Sequence, residues 1–346
     1  MCYKLDNGTC YIIRRLRLEP QIDTINARHS PKFFGLGKGV SSLTLVANHI
    51  PVNAKIIGTH EHESYFAFDL LYNNTSDVDP RILSTDTHGT NQVNHAILDF
   101  FGYQFAPRYK HLDSEHRKIY GFHHPRHYQG MVVKPGRKIK KQLIIEEADN
   151  IKRLIVSLAL KSTTQSTIIR KLSSYLRKNR TKKALWEYDN IIQSIYILNY
   201  IDSLTMRQSV QKALNRGEAY HKLKRAVFHA NQGKFRVKTE LEQNIWSECT
   251  RFLANSIIFC NSLILSALLL QAENAGKLEE ANLIKRISPI AWRHVNFLGR
   301  FEFQKRHNHI NIDEIINALR QKTGWQRFKT TEGTADRDSY FTFLRG

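Results

Sequence analysis

The sequence predicts an α/β protein whose mixed sheet is at least partly parallel and is followed by a long helical stretch. Three observations carry this expectation. Short β-rich runs alternate with helical spacing between residues 40 and 106. From about Ile139 to Met206 the apolar period becomes helical. Hydrophobic residues make up 41% of the 346, enough for a sizeable core and too many for a disordered chain.

The elements follow in order. Gly35-Leu36-Gly37-Lys38-Gly39 resembles a phosphate loop, but a strand pattern follows it, so it reads as a turn. Val40 to Asn48 is β-rich, Ile50-Pro51 turns the chain, and Val52 to Gly58 returns it, which predicts a hairpin. Tyr65 to Tyr72 is a short apolar helix. Arg81 to Asp86 is a strand that runs into the loop Thr87-His88-Gly89-Thr90. Asn91 to Phe101 has helical spacing stopped by Gly102, and Tyr103 to Ala106 is a strand closed by Pro107. A further helix is expected to open after Asn215-Arg216-Gly217, and Asn231-Gln232-Gly233 turns the chain again. Phe252 to Leu270 is long and greasy, yet it carries Asn255, Ser256, Asn261, Ser262 and Ser266 between charged flanks. A buried core helix is expected there rather than a membrane span.

Charge narrows the function. The chain has 52 Lys and Arg against 31 Asp and Glu, a formal net charge of +21, which points to a polyanionic partner. The excess lies in two bands. Arg108 to Lys141 holds ten Lys or Arg, five His and two acids, interleaved with Tyr109, Tyr120, Phe122 and Tyr128. Lys161 to Lys183 holds eight basic residues and no acid. Lys and Arg at that density neutralise phosphates, and the aromatic residues could stack on exposed bases. The expected DNA contacts are Arg108, Lys110, Arg126, Lys138, Lys140, Lys141, Arg170, Lys171, Arg177, Lys178, Lys222 and Arg225. The cysteines, at 2, 10, 249 and 260, form no CxxC pair, and the first twenty residues lack a signal-peptide pattern.

Two carboxylates stand out. Asp86 ends an inner strand, where α/β sheets place their sites; an Asx-turn or helix-cap role is the plainer alternative. Glu218 has Lys222 and Arg225 at i+4 and i+7 on one helix face. That suits a metal ligand beside bound phosphates, or equally a first-turn acid paired with its helix dipole. The histidines at 60, 62, 123, 124 and 307–309 have no second ligand pair at zinc spacing.

At this point a resemblance becomes specific. Thr85-Asp86-Thr87-His88-Gly89-Thr90, the helix to Phe101, and Gly102-Tyr103-Gln104-Phe105-Ala106-Pro107-Arg108 resemble the second-aspartate block of the DDE transposases of class II replicative transposons, the Tn-three family. Leu214-Asn215-Arg216-Gly217-Glu218-Ala219 resembles the same family's glutamate block, Ser288 to Gly299 its closing motif, and Arg28 to Gly35 the stretch after its first aspartate. The likeness covers about 18 to 320.

The resemblance implies a ribonuclease-H-like mixed sheet with a helical insertion, and a two-ion Mg²⁺ reaction that cuts DNA and joins its 3′ end to target DNA. Asp86 and Glu218 would be the catalytic metal ligands. DNA would be the partner, as transposon ends and target, with a homodimer as a further expected assembly, without a membrane, in the bacterial cytoplasm near the nucleoid. One departure is decisive. The family's first aspartate should fall near Arg14, where the chain reads Tyr11-Ile12-Ile13-Arg14-Arg15-Leu16-Arg17. Asp6 or Asp23 would be distant substitutes. The expectation is an N-terminally truncated or frame-disrupted, cleavage-deficient copy, with a non-catalytic nucleic-acid-binding protein as the alternative. The expected layout is a non-family leader at 1–17, core at 18–135, basic helical insertion at 136–213, core with the glutamate helix and a buried helix at 214–270, and a helical tail at 271–346.

Overall fold

The sheet is built around a strand that the sequence reading left outside the core. In the computed structural model, β1 (Cys10–Leu18) is the middle strand, flanked by β3 (Lys38–Ala47) and β5 (Ile82–Ser84). The structure describes residues 10–20, 24, 26–78, 81–86, 89–174, 179–229, 235–299 and 311–322. β1 is buried on both faces. Tyr11 and Ile13 join the cluster under one face, and Ile12 joins the cluster on the other, as strand alternation requires. Residues 10–17, expected as part of a non-family leader, thus lie in β1 and complete the sheet.

The rest of the sheet follows the expected order. β2 (Arg28–His29) and α1 (Pro31–Phe34) precede β3, which pairs antiparallel with β1 and with β4 (Ile50–Gly58). A 3-10 turn at Glu63–Phe66 leads into α2 (Ala67–Tyr72). β5 runs parallel to β1, α3 (Asn94–Phe100) follows, and β6 (Gln104–Phe105) runs parallel to β5. The sheet is mixed: antiparallel through β4, β3 and β1, parallel through β1, β5 and β6. The predicted hairpin and parallel strands are both present.

Beyond β6 come α4 (Leu112–Glu115), the small pair β7 (Tyr120–Gly121) and β8 (Arg137–Lys138), and then the helices. These are α5 (Lys141–Glu146), α6 (Ala148–Ala159), α7 (Gln165–Ser174), α8 (Arg180–Asp202), α9 (Leu204–His229) and α10 (Glu240–Asn274). The α2, α3, α6, α7 and α8 side chains pack with Tyr11, Leu43 and Leu45 on one face of the sheet. The α9 residues Leu214, Tyr220 and Leu223 pack with Ile12 and Val46 on the other.

Three expectations change here. No helix opens at 215–217, because α9 runs unbroken from 204. Its buried stripe of Val210, Ala213, Leu214, Gly217, Tyr220 and Leu223 is continuous, and that packing outweighs the roughly 1 kcal/mol that a mid-helix glycine costs. The boundaries expected at 17/18, 213/214 and 270/271 cut through β1, α9 and α10. The helix over 252–270 forms as part of α10 but is not buried: its most apolar window is only 17% buried, and Phe252, Leu253 and Phe259 are exposed. By length and composition alone α10 could cross a membrane, which is weak evidence in one helix.

The chain divides into two compact units, residues 1–259 with 288–299 and residues 260–287 with 300–346. The first holds the sheet and its helices. In the second, α11 (Leu278–Ile284) packs Ala281 and Ile284 against Ala272, and Lys285 Nζ pairs with Glu273 Oε1 at 2.9 Å. It also includes α12 (Ile312–Lys322).

Candidate functional site

Asp86 lies two residues past β5, at the carboxyl end of a parallel strand, where side chains emerge toward a ligand. The loop after it folds back tightly. Gly89 N–H donates to both the Asp86 carbonyl and Asp86 Oδ1, at 3.0 and 3.1 Å. A Cβ on Gly89 would stand 2.5 Å from the Thr85 Cβ, so only glycine fits this turn. The Asx turn and the strand-end position coexist; one does not replace the other.

A buried polar network holds this loop against the helical insertion. Asn94 Nδ2 donates to the Gly89 carbonyl at 3.3 Å, and Gln165 Nε2 donates to Asn94 Oδ1. Gln165 Oε1 in turn accepts from Phe68 N–H at 2.8 Å, while Asp69 accepts from the backbone N–H groups of Gln165 and Ser166. Burial pushes the Asp69 carboxyl up, and these two N–H groups oppose the shift. The start of α7 is thereby locked to α2 and to the Asp86 loop. Sequence reading missed this, although Asn94 and Gln165 at helix starts were a usable signal.

Glu218 is exposed in the middle of α9, so the first-turn dipole role falls away. α9 packs across β1 and β5, which puts Glu218 and Asp86 on elements that touch. Lys222 and Arg225 share its exposed face, as helix geometry predicts. Six residues on, Lys224 points the other way and is fully buried. Its Nζ donates to Ser42 Oγ at 2.7 Å and Thr44 Oγ1 at 2.9 Å on β3. Burial lowers its pKa to about 7, opposed by Glu248. A lysine on the apolar stripe of Gly217, Tyr220 and Val227 was the signal for it.

Arg15 and Arg17 of β1 are held by neighbouring residues. The parallel register of β1 and β5 pairs Cys10 with Ile82, Tyr11 with Leu83 and Ile12 with Ser84, and ends there, before Arg14 and before Asp86. Arg15 is held in place by Ser41 Oγ and the carbonyls of Thr59 and Glu61, at 2.9, 2.7 and 3.0 Å. The Arg17 guanidinium lies 3.6 Å over the Phe33 ring. Burial lowers the Arg17 pKa, and Glu63 and then Asp86 push back, so Asp86 already feels a cation. Among the described residues no three of His, Cys, Asp and Glu come together as a metal cluster. Asp6 and Asp23 lie outside the described residues.

The closing motif adds a wall. Ile290 is buried in the α9 cluster, with Trp292 and Phe297 against it, and Ser288 Oγ lies 3.4 Å from His49 Nδ1 in the β3–β4 turn. Burial, and then Arg216, lowers His49 to about 4.

Of the expected DNA contacts, Arg108, Lys110, Arg126, Lys138, Lys140, Lys141, Arg170, Lys171, Lys222 and Arg225 are all exposed; Arg177 and Lys178 lie outside the described residues. The acid-free band nevertheless meets acids from elsewhere in the chain: Arg170 pairs with Glu61, and Arg180 with Glu146 and Glu147. Such exposed pairs are worth little and can open toward phosphate. The stacking expectation changes for Tyr109, which is buried among Tyr196 and Tyr200, and for Tyr120, which Arg137 covers at 4.4 Å. Phe122 is exposed.

With this geometry in view, the comparisons are consistent. A family model described as the Tn3 transposase DDE domain matches residues 16–301. The transposase of transposon Tn1546 from Enterococcus faecium is 28% identical over 91% of this chain and 31% of its own length. That of Tn501 from Pseudomonas aeruginosa is 27% identical over 74% of this chain and 26% of its own. That of transposon gamma-delta from Escherichia coli K12 is 26% identical, over 83% and 29%. The chain thus spans about a third of the length of these relatives.

Proposed function

We propose that this chain, which belongs to the Tn3 transposase DDE domain family, serves DNA transposition by holding DNA across a site that keeps two of the family's carboxylates, Asp86 and Glu218, and lacks the first. We read the fold as ribonuclease-H-like. In support, antiparallel β4, β3 and β1 continue into parallel β5 and β6, with α9 packed over the centre. The observation that supports the site reading is the packing of α9, which bears Glu218, across β1 and β5, with Asp86 two residues beyond the end of β5.

The family's chemistry uses divalent ions, normally Mg²⁺, to activate the attacking oxygen and stabilise the leaving one. The donor set here does not fit an ion pair. Two ions need bridging carboxylate oxygens, and the position expected to supply them carries arginine. Arg17 lies within electrostatic reach of Asp86 and adds positive charge where the ions would go. The remaining residues bind and orient: Lys222 and Arg225 flank Glu218, and Arg108 to Lys141 supplies an exposed cationic track for the DNA backbone. The setting would be bacterial DNA in the cytoplasm, as transposon ends or target. The exposed apolar side of α10, with Phe252, Leu253 and Phe259, reads as a protein-contact face, such as for a second copy.

Fluorescence anisotropy on labelled duplex DNA tests this reading. Binding should weaken steeply with salt and persist in EDTA. Lys222→Ala and Arg225→Ala should each lower the salt slope by about one. No measurable binding at low salt, or binding that needs Mg²⁺, would overturn it.

A further inference from the structure

We infer that a recess beside Asp86 binds a single unstacked nucleotide of a DNA strand. This rests on the DNA-holding reading above and adds to it a subsite that none of the recognised motifs supplies.

The recess has a volume of about 380 Å³ and is lined by Arg108, Lys110, Tyr200, Arg207, Gln208 and Gln211. That is within the range of small-ligand pockets. Its position ties it to both carboxylates. The Arg108 N–H donates to the Thr85 carbonyl at 2.9 Å, which fixes one wall a single residue from Asp86. Gln211 stands seven residues before Glu218 on α9, on the same stripe and about 10 Å along the axis. Gln211 Nε2 also donates to Asn215 Oδ1 at 2.8 Å, one turn short of Glu218. A strand with one nucleotide in the recess could thus run along the face of α9 that carries Glu218.

The lining chemistry selects the ligand class. Arg108 and Lys110 are exposed cations suited to a phosphodiester. Gln208 and Gln211 each offer a donor and an acceptor, the pairing that reads a base edge. One side is aromatic: Tyr200 is 4% exposed, and its ring meets Tyr109 edge-on with centroids 5.7 Å apart. Arg207 is part of the frame, because its Nη1 donates to the carbonyls of Tyr200 and Ile201 and closes the end of α8. Cations, amides and an aromatic side together fit a nucleotide better than an isolated phosphate or a metal ion.

Extruding a base from a duplex costs a few kcal/mol, and least where it is already unpaired. The full chain should therefore bind a labelled duplex with one central unpaired nucleotide more tightly than the fully paired duplex. The double variant Gln208→Ala with Gln211→Ala changes two surface amides. It should lose about tenfold in affinity for the unpaired-nucleotide duplex and little for the paired one. A 2-aminopurine at the unpaired position should change its emission on binding to the parent and not to the variant. Equal affinity of the parent for both duplexes, or an unchanged preference in the variant, would overturn the inference while leaving general DNA binding intact. Loss of all duplex binding by the parent would instead remove the DNA-holding reading, and this inference with it.

Discussion

His95 illustrates how far the interior departs from what single residues suggest. It is fully buried between the rings of Phe105 and Tyr196, at 4.9 and 5.7 Å, and neither ring nitrogen has a hydrogen-bond partner. Burial lowers its pKa to about 3. The unfolded imidazole takes a proton below about pH 6.5 while the folded one stays neutral, so His95 erodes stability as the pH falls from about 6.5 toward 3. His95→Phe should stabilise the fold by about 1 kcal/mol at neutral pH and by more at pH 5, read by thermal denaturation. A variant less stable than the parent at both pH values would refute this. Asp189, beside it, shifts the opposite way. Burial raises it to about 7 although it accepts from the Ala96 N–H at 2.9 Å, so its contribution declines as pH rises. Residues such as these were illegible from sequence because Tyr196 lies 101 positions from His95, and Asp189 lies 93 from Ala96.

The elements were more legible than their ends. The hairpin, the strand into Asp86, the following helix and the helical insertion were readable because alternation and 3.6-residue periodicity are local. The start of α9 was not, since Asn215-Arg216-Gly217 has breaker chemistry and only the buried stripe on both sides keeps the helix going. β1 was set aside because the run Tyr11 to Arg17 lacks the aspartate that the family pattern places near Arg14. Yet Tyr11, Ile12, Ile13, Leu16 and Leu18 are all buried, and the Arg15 guanidinium is satisfied by backbone carbonyls.

Two tests belong at this scale. Lys224 anchors α9 to β3, and with a folded pKa near 7 against an ordinary 10.5 its stability deficit is complete below about pH 7 and disappears as pH rises to about 10.5. The stability of Lys224→Met relative to the parent should therefore be greatest at pH 7 and shrink toward pH 10; a difference independent of pH would contradict the buried lysine. Gln165→Ala should speed amide hydrogen exchange at Gly89, because the network that ends on the Gly89 carbonyl loses its central member. Unchanged exchange there would mean that the insertion does not support the Asp86 loop.

At the scale of the whole molecule, the net charge of +21 and the two surviving carboxylates point in different directions. The exposed cations would suit a phosphate backbone, and α9, which carries Glu218, packs on the strand that leads to Asp86. The four motif blocks made this much readable in the sequence, because the chemistry of a metal site constrains residue types strongly. The exposure of α10 was not readable, since an apolar run looks the same whether it is covered by its own chain or by something else. The departure from the family pattern near Arg14 was readable in the sequence; that Arg14 lies in a strand that pairs with β5 was not.

The most direct test of the central claim is a nicking assay of the full chain on supercoiled DNA at a protein concentration that gives saturated binding, with Mg²⁺ or Mn²⁺ present. The account predicts bound DNA with no nicking above the metal-only background. Nicking that depends on the divalent ion and disappears in Asp86→Ala would contradict it.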